Sequence, residues 1–428
     1  MRSLDENARE LWHKFGTVEL FPRGRKRYAT RSHILILPAT FCTLETARKI
    51  AAHFAGRGFG ARGENRVVIL EHEVGCCSVG VDDQGAQRVL RNAALNPNVA
   101  RTLIVSLGCG SYCSVSNESG ESARTGSLIK EIQGPRRQDE VVVQGPGGGP
   151  RAVAQGIAIV ERMITELDTE QRVETPLSSL LVGVMNGSSD PTSGLFTNPA
   201  AGFFCDFLLA AGGRVAFSQT TEMIGAEDII TGRTDSERTR NHVARLLTAV
   251  SMMRKAIQDD GVESEPTQGN IRSGISTLNE KSVGTIFKIG VEPSHHIVDV
   301  VPHGKTASTK PGIHLIDGPG QDVLCMSGLV AAGSNLVLFT TGRGAPTGSP
   351  LAPTVKVTAN RTTYENMPDL IDVCLPVEEI FEKGRRLRDI ALESLVPYIR
   401  EVAAGRVLTA AERNGQHDFQ VRQMWPIE

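Results

Sequence analysis

Short apolar runs alternate with amphipathic stretches of helical period along most of the chain. The runs HILILP, RVVIL and VARTLIV are separated by LETARKIAAH and QGAQRVLRNAAL, in which apolar residues recur every three to four positions. Strands that alternate with helices of this length are typical of βαβ units in a parallel sheet. The pattern therefore predicts an α/β fold of two domains, each with a mainly parallel sheet flanked by helices in a Rossmann-like arrangement.

The chain of 428 residues is long enough for two separate cores. The first apolar run begins only after about 30 residues, and the polar segment DTEQRVETP interrupts the alternation again near position 172. We therefore predict an N-terminal extension at residues 1–30, a small α/β domain with cysteine loops at 31–171 and a large α/β domain at 172–428.

The stretch from Leu181 to Gly202 reads as a buried strand, a loop of small polar residues and a helix that begins at Asn198-Pro199. Such a loop follows the carboxyl end of its strand, where parallel α/β sheets bind their ligands. Asn186, Ser189 and Asp190 are therefore candidate substrate contacts, together with Asn198. An ordinary βα loop with a polar cap has the same composition, so the loop alone leaves both interpretations open.

Two cysteine loops follow the second and third strands of the small domain, HEVGCC at 72–77 and GCGSYC at 108–113. If these strands are neighbours, their loops meet at one edge of the sheet, and His72, Cys76 and Cys109 could bind one metal ion. Divalent iron fits such an open thiolate site better than structural zinc does. Two alternatives remain: cysteines that pack as small apolar residues, or a nucleophilic Cys76 or Cys109.

Arg343 follows the predicted strand NLVLFTT and has a glycine on each side. A guanidinium at a strand end can bind a carboxylate through two parallel hydrogen bonds. The alternative is a solvated loop arginine. Before this strand in the chain, the segment EPTQGNIRSGISTLNEKSVGTIFKIG reads as a loop followed by a helix, and it contains the polar candidates Asn270, Glu280 and Lys281.

Composition narrows the class of protein. Lys and Arg number 46 against 48 Asp and Glu, so no basic field favours nucleic acid. The eight cysteines lack the dense spacing of a secreted disulfide scaffold. No apolar run reaches the roughly 18 residues of a membrane span. We expect a cytoplasmic protein that acts on a small molecule and contacts neither nucleic acid nor membrane.

Several of these motifs together resemble a known family. They are TRS at 30–32, HEVGC at 72–76, NGSSDPTSGLFTNPAAG at 186–202, QGN at 268–270, STLNEKSVG at 276–284 and FTTGRG at 339–344. In order and spacing they are similar to the large, metal-dependent part of the altronate/galactarate dehydratases, a family that includes the large subunit of sulfolactate sulfo-lyase. The resemblance extends from about Arg27 to Asp372. It departs at Asn186, Ser188 and Gly110, where the family usually has cysteine, glycine and an acidic residue.

The resemblance implies a metal-dependent lyase that removes a β leaving group, water, from a 2-hydroxy sugar acid to give a 2-keto acid. The implied metal is Fe²⁺, with Mn²⁺ as the alternative. Lys281 and His72 are the candidate base and acid, and Arg343 would assist the metal at the substrate carboxylate. The candidate substrate contacts are Asn186, Ser189, Asp190, Asn198, Asn270, Glu280 and Thr341.

Two other functions remain open: a sulfo-lyase large subunit, and a catalytically weakened homologue that binds a sugar acid or a partner. The resemblance implies that single-chain dehydratases carry a compact domain before the TRS motif, and about 30 residues are too few for one. We therefore expect a homo-oligomer that needs a separate small subunit of roughly 80 to 120 residues for full activity.

Overall fold

The computed structural model describes residues 5–24, 27–75, 83–109, 138–259 and 266–421. Its strands, in chain order, are β1 (Thr17–Pro22), β2 (Tyr28–Ala29), β3 (His33–Pro38), β4 (Val67–Ile69), β5 (Val99–Ser106), β6 (Gln138–Val142), β7 (Val173–Pro176), β8 (Leu181–Asn186), β9 (Arg214–Phe217), β10 (Ile297–Val301), β11 (Gly312–Ile316), β12 (Leu336–Thr340), β13 (Thr354–Thr358) and β14 (Val373–Cys374).

The α-helices, in chain order, are α1 (Glu6–Phe15), α2 (Leu44–His53), α3 (Asp83–Ala94), α4 (Gly148–Leu167), α5 (Asn198–Ala210), α6 (Glu227–Gly232), α7 (Glu237–Asp259), α8 (Gln268–Arg272), α9 (Leu278–Ile286), α10 (Asp322–Ala331), α11 (Arg361–Asn366), α12 (Glu378–Lys383), α13 (Leu387–Ala403) and α14 (Ala410–Arg413). Short 3₁₀ turns at Thr220–Met223 and Phe287–Ile289 carry further site residues. No helix among the described residues is long and apolar enough to cross a membrane.

The large sheet contains seven parallel strands in the order β10-β11-β9-β8-β12-β13-β14. From β8 the chain first builds the half that contains β9, β10 and β11, and then crosses to β12 to build the other half. The carboxyl ends of β8 and β12 therefore form the switch point, where open α/β sheets leave a crevice for ligands. Asn186 pairs with Thr340 in register, so both strands end at the same level.

The small sheet is parallel as well, in the order β4-β3-β5-β6. The prediction of parallel α/β architecture is thus confirmed for both sheets. The expectation that the two cysteine loops follow adjacent strands is wrong, because β3 lies between β4 and β5. The chain adds β4 on one side of β3 and then crosses to add β5 on the other, so the two loops start about 10 Å apart at the strand spacing of a sheet.

Residues 5–22 are tied to the rest of the chain. Strand β1 pairs with β7 in a small antiparallel sheet, and the Trp12 ring lies 5.0 Å from the Phe207 ring of α5. One apolar core contains Leu35 and Ile104 of the small sheet together with Met185 and Phe339 of the large sheet. The described part of the predicted extension thus packs against the rest of the chain, while the domain boundaries at residues 31 and 172 stay predictions.

Strand β8 is buried along its whole length, as expected for a central strand covered by helices on both faces. After it the chain makes a loop, one π-helical turn at Ser193–Thr197 and then α5, which has Pro199 in its first turn. Single π-helical turns often mark functional sites. The local sequence thus places a rigid loop directly over the end of β8.

Candidate active site

The loops 187–193 and 341–344 follow β8 and β12 at the switch point, and the region around them is called the switch-point crevice below. Asp190 organises the first loop. Its Oδ1 accepts hydrogen bonds from the Ser193 backbone N–H and the Thr192 hydroxyl, each at 2.8 Å, and its Oδ2 accepts one from Asn360 at 2.8 Å. This buried carboxylate holds the loop in one conformation.

Gly342 holds the second loop against the first. Its backbone N–H donates to the Ser188 carbonyl at 2.9 Å, and a Cβ at this position would lie 2.2 Å from Asp190 Oδ1. A glycine is therefore required for the two loops to approach this closely.

Lys281, Lys288 and Glu222 form a group called the lysine cluster, and Lys288 joins it to the end of β8 by a hydrogen bond to Asn186 Oδ1. The Lys281 Nζ lies 3.0 Å from Glu222 Oε1, and the Lys288 Nζ lies 3.9 Å from Glu222 Oε2. None of the three side chains is more than 4 % exposed. One carboxylate is thus shared by two buried amines. Thr285 donates to the same carboxylate at 3.5 Å.

Lys288 is held by two amide oxygens. Its Nζ donates to Gln219 Oε1 at 2.6 Å and to Asn186 Oδ1. Burial lowers the pKa of Lys288 to about 8, although the charge of Glu222 opposes that change. This amine can therefore gain or lose a proton close to physiological pH.

Gln219 has a backbone φ of 71°, in the left-handed region that costs energy for a residue with a side chain. Its side-chain amide accepts from the Asn186 N–H at 2.9 Å and donates to the Asn186 carbonyl at 2.6 Å. These two bonds fix which amide atom is oxygen, because the Asn186 N–H must face an acceptor. The unfavourable backbone conformation thus aims one oxygen at Lys288.

The predicted contacts on the rim of the switch-point crevice hold its loops together. Thr340 at the end of β12 donates to Asn198 Oδ1 at 2.6 Å, and Thr341 Oγ1 accepts from the Gly344 N–H at 2.9 Å. Asn270 donates to the Ser189 carbonyl at 3.4 Å.

Arg343 and Glu280 are exposed to solvent at this part of the fold. Arg343 donates to the Gly269 carbonyl at 3.0 Å, which leaves other guanidinium N–H groups for a carboxylate. Glu280 accepts from the Ser276 hydroxyl at 2.6 Å and from its N–H at 2.8 Å, and these bonds lower the pKa of Glu280. Its carboxylate is thus bound to the turn just before α9.

The structure groups most of the predicted site residues around this one crevice. They are Asn186, Ser189, Asp190, Asn198, Asn270, Lys281, Thr341 and Arg343. Their catalytic and binding roles stay predictions. His72 follows β4 of the small sheet instead.

The His72 ring forms two hydrogen bonds with the backbone. Its Nδ1 accepts from the Val74 N–H at 3.1 Å, so Nε2 carries the proton and donates to the Pro38 carbonyl at 2.8 Å. Burial lowers the pKa of His72, which favours this neutral form. Neither ring nitrogen offers a lone pair to a metal in this arrangement.

Of the two other predicted metal ligands, the structure describes one. Cys109 is exposed at the end of β5, and Cys76 lies outside the described residues. Within the described ranges, no group of three His, Cys, Asp or Glu side chains could hold a metal ion. The shared metal site of His72, Cys76 and Cys109 therefore stays a prediction.

Three members of the buried network were not predicted: Lys288, Gln219 and Glu222. Lys288 lies within the apolar run TIFKIG, and a charged residue in such a run is a signal for a buried, partnered group. Gln219 and Glu222 follow strand β9 at its carboxyl end, a position that the strand pattern alone could have flagged.

A parallel sheet with a strained polar network and a titratable buried amine at its switch point is typical of an α/β enzyme that acts on a small polar substrate. The comparisons with known proteins narrow this class. The family model for the C-terminal domain of D-galactarate/altronate dehydratases matches residues 177–427. The model for the second domain of D-galactarate dehydratase/altronate hydrolase matches residues 21–168. The chain therefore belongs to the galactarate/altronate dehydratase family, as its motifs predicted, and is an enzyme of the hydro-lyase class.

Individual relatives agree with this assignment. The chain is 31% identical to an altronate dehydratase of Bacillus subtilis over 92% of this chain and 75% of the relative. It is 30% identical to an altronate dehydratase of Escherichia coli over 93% and 76%. It is 26% identical to the (2R)-sulfolactate sulfo-lyase subunit beta of Chromohalobacter salexigens over 95% and 97%.

Proposed function

We propose that this enzyme dehydrates a 2-hydroxy sugar acid of the altronate or galactarate type to a 2-keto-3-deoxy acid, and that the reaction takes place at the switch-point crevice. The observation that carries the proposal is the lysine cluster, in which one buried carboxylate lies between two amines. The names of the altronate dehydratase relatives support the substrate class.

The reaction needs a base, an acid and positive charge near the substrate. The base removes the proton from C2, negative charge builds up on the carboxylate as an enediolate, and the C3 hydroxyl leaves with a proton as water. The enol that remains becomes the 2-keto acid by moving one proton from oxygen to C3. Groups that stabilise the enediolate contribute most to the rate.

Lys281 is our candidate for the base. Its amine contacts Glu222 in a space that excludes most water, and the uncharged amine can accept the C2 proton. Glu222 then stabilises the ammonium that results. Arg343, on the rim with N–H groups to spare, would bind the substrate carboxylate through its planar fork.

We keep the divalent metal, Fe²⁺ or Mn²⁺, as a separate part of the proposal. When bound, such an ion would polarise the carboxylate or hydroxyl of the substrate. His72 would first have to give up its bonds to Val74 and Pro38 before it could bind a metal or act as the acid. We therefore assign no step to the metal and none to His72.

A sulfo-lyase activity is the second candidate function. The relative named as subunit beta of a sulfo-lyase aligns with this chain over 97% of its own length. In that reaction sulfite, in place of water, would leave from C3 after the same proton abstraction. A small second subunit, docked near residues 27–32 and the cysteine loops, is part of the proposal for either activity.

The experiment that tests the proposal is a product assay on the purified chain after anaerobic loading with ferrous iron. Altronate, galactarate and sulfolactate are offered separately, and 2-keto acid and sulfite are measured. The proposal predicts a 2-keto acid from a sugar acid without release of sulfite. Sulfite release from sulfolactate alone would favour the second candidate, and no product from any of the acids would contradict both.

A further inference from the structure

Lys288 has no role in the reaction described above, although it faces the same carboxylate as the proposed base. We propose that Lys288 is a positioning residue, which shares Glu222 with Lys281 and thereby sets the pH above which Lys281 can accept the substrate proton. This inference rests on the proposed function, because it assigns Lys281 the role of base.

The two amines lie at different distances from the Glu222 carboxylate. Lys281 lies within direct contact of Glu222 Oε1 at 3.0 Å, whereas Lys288 lies 3.9 Å from Oε2, outside ordinary hydrogen-bond distance. Lys288 has no exposed side-chain surface, so substrate cannot reach it without rearrangement. Lys288 therefore acts on Lys281 through charge, both directly and through the Glu222 carboxylate that the two amines share.

Two amide oxygens keep Lys288 at this distance. Asn186 and Gln219 accept its hydrogen bonds, and the left-handed backbone of Gln219 is retained at an energetic cost to aim one of these oxygens. The Lys288 Nζ also lies 4.9 Å from the centre of the Phe217 ring. The amine is thus fixed beside Glu222 without direct contact, and its influence depends on whether it is charged.

The charged groups that face Lys288 come from three elements. They are Glu222 on the 3₁₀ turn, Lys281 on α9, and Asp322 with Cys325 on α10. Burial raises the pKa of the Cys325 thiol, so it stays uncharged at neutral pH. Asp322 is only partly buried. Glu222 is thus the buried anion for which the two amines compete.

The direction of the effect follows from this competition. At pH values below about 8, Lys288 is positively charged. A second positive charge beside Glu222 disfavours the protonated form of Lys281, so Lys281 loses its proton more easily. Without Lys288, Lys281 is the single amine beside Glu222 in this cluster, and it keeps its proton to a higher pH. The acidic limb of the rate profile should then move toward higher pH.

The test is the pH profile of kcat and kcat/KM for the metal-loaded enzyme and its Lys288→Met variant. We expect the acidic limb of both profiles to move to higher pH by about one pH unit in the variant, a shift typical of a nearby charge. One unit below the wild-type limb, this shift lowers the rate about tenfold. A residue that served only packing would lower the rate equally at all pH values.

Lys356 provides a matched control. It is fully buried, donates to Gln416, and burial lowers its pKa to about 8 as well, but it lies in the middle of β13. The Lys356→Met variant removes the same kind of amine from the core. It should lose stability while its acidic limb stays in place.

A second variant keeps the inference testable if Lys288→Met does not fold. Glu222→Gln removes the anion and should move the acidic limb in the opposite direction, toward lower pH. Profiles of Lys288→Met or Glu222→Gln that coincide with the wild type would overturn the inference alone. Absence of product in the wild type at every pH would overturn the proposed function, and the inference with it.

Discussion

The two parallel sheets present different chemistry at their carboxyl edges. At the large sheet, polar side chains bond to one another: Asn186 and Gln219 bind Lys288, which faces Glu222. At the small sheet, the polar side chain of His72 bonds to backbone groups of its own surroundings.

The difference shows what a site needs beyond its residue types. In the large sheet the switch point brings together loops whose side chains are far apart in the chain, and these side chains complete one another's hydrogen bonds. In the small sheet β3 separates the two strands that lead to the cysteine loops. The large sheet therefore holds a preorganised polar network, whereas His72 at the small sheet would have to rearrange to bind a metal ion.

Among variants outside the lysine cluster, Gly342→Ala should have the largest effect, because it breaks the large-sheet site at the contact between its two loops. A Cβ would meet Asp190 Oδ1 at 2.2 Å, so the loops must separate. Displacement of catalytic groups by an ångström costs about 100-fold in rate, and we expect a loss of this size in kcat/KM. Gly232→Ala, where a Cβ meets nothing within 4 Å, is the control and should retain full activity. Equal activities would mean that the loop contact is irrelevant to the reaction.

His72→Asn tests the small sheet. If His72 rearranges and binds metal, the variant should bind ferrous iron at least about tenfold more weakly, as loss of support for a metal site usually does. Iron retained per chain after anaerobic gel filtration is the measurement, and His53→Asn at an exposed position is the control. Equal iron contents in both variants would remove His72 from any metal site.

Arg343→Lys should have the smallest effect, since Arg343 lies on the rim and is exposed to solvent. The charge is kept but the planar fork is lost, so we expect turnover with a sugar acid to fall about fivefold. Arg272→Lys, at an exposed position in α8, should leave turnover unchanged. Unaltered kinetics of Arg343→Lys would exclude this side chain from the substrate carboxylate.

The sequence predicted the parallel α/β architecture because apolar runs mark strands. The candidate site residues were chosen because ligands bind where parallel strands end, and their roles stay predictions. It did not predict that β3 separates β4 and β5, because an apolar run does not encode its neighbours in the sheet. Lys288 was missed for a related reason. Its partners Asn186 and Gln219 lie 102 and 69 positions away in the chain, and only the fold brings them together.

The proposed reaction depends on proton abstraction at the lysine cluster, and one measurement tests this directly. The metal-loaded wild type, Lys281→Met and the surface control Lys305→Met are assayed for 2-keto acid formed from altronate and galactarate. A base contributes about 100- to 10,000-fold to such a reaction, so Lys281→Met should lose product formation by at least about 100-fold, while Lys305→Met matches the wild type. Wild-type rates in Lys281→Met would contradict the assignment of the active site to the large sheet.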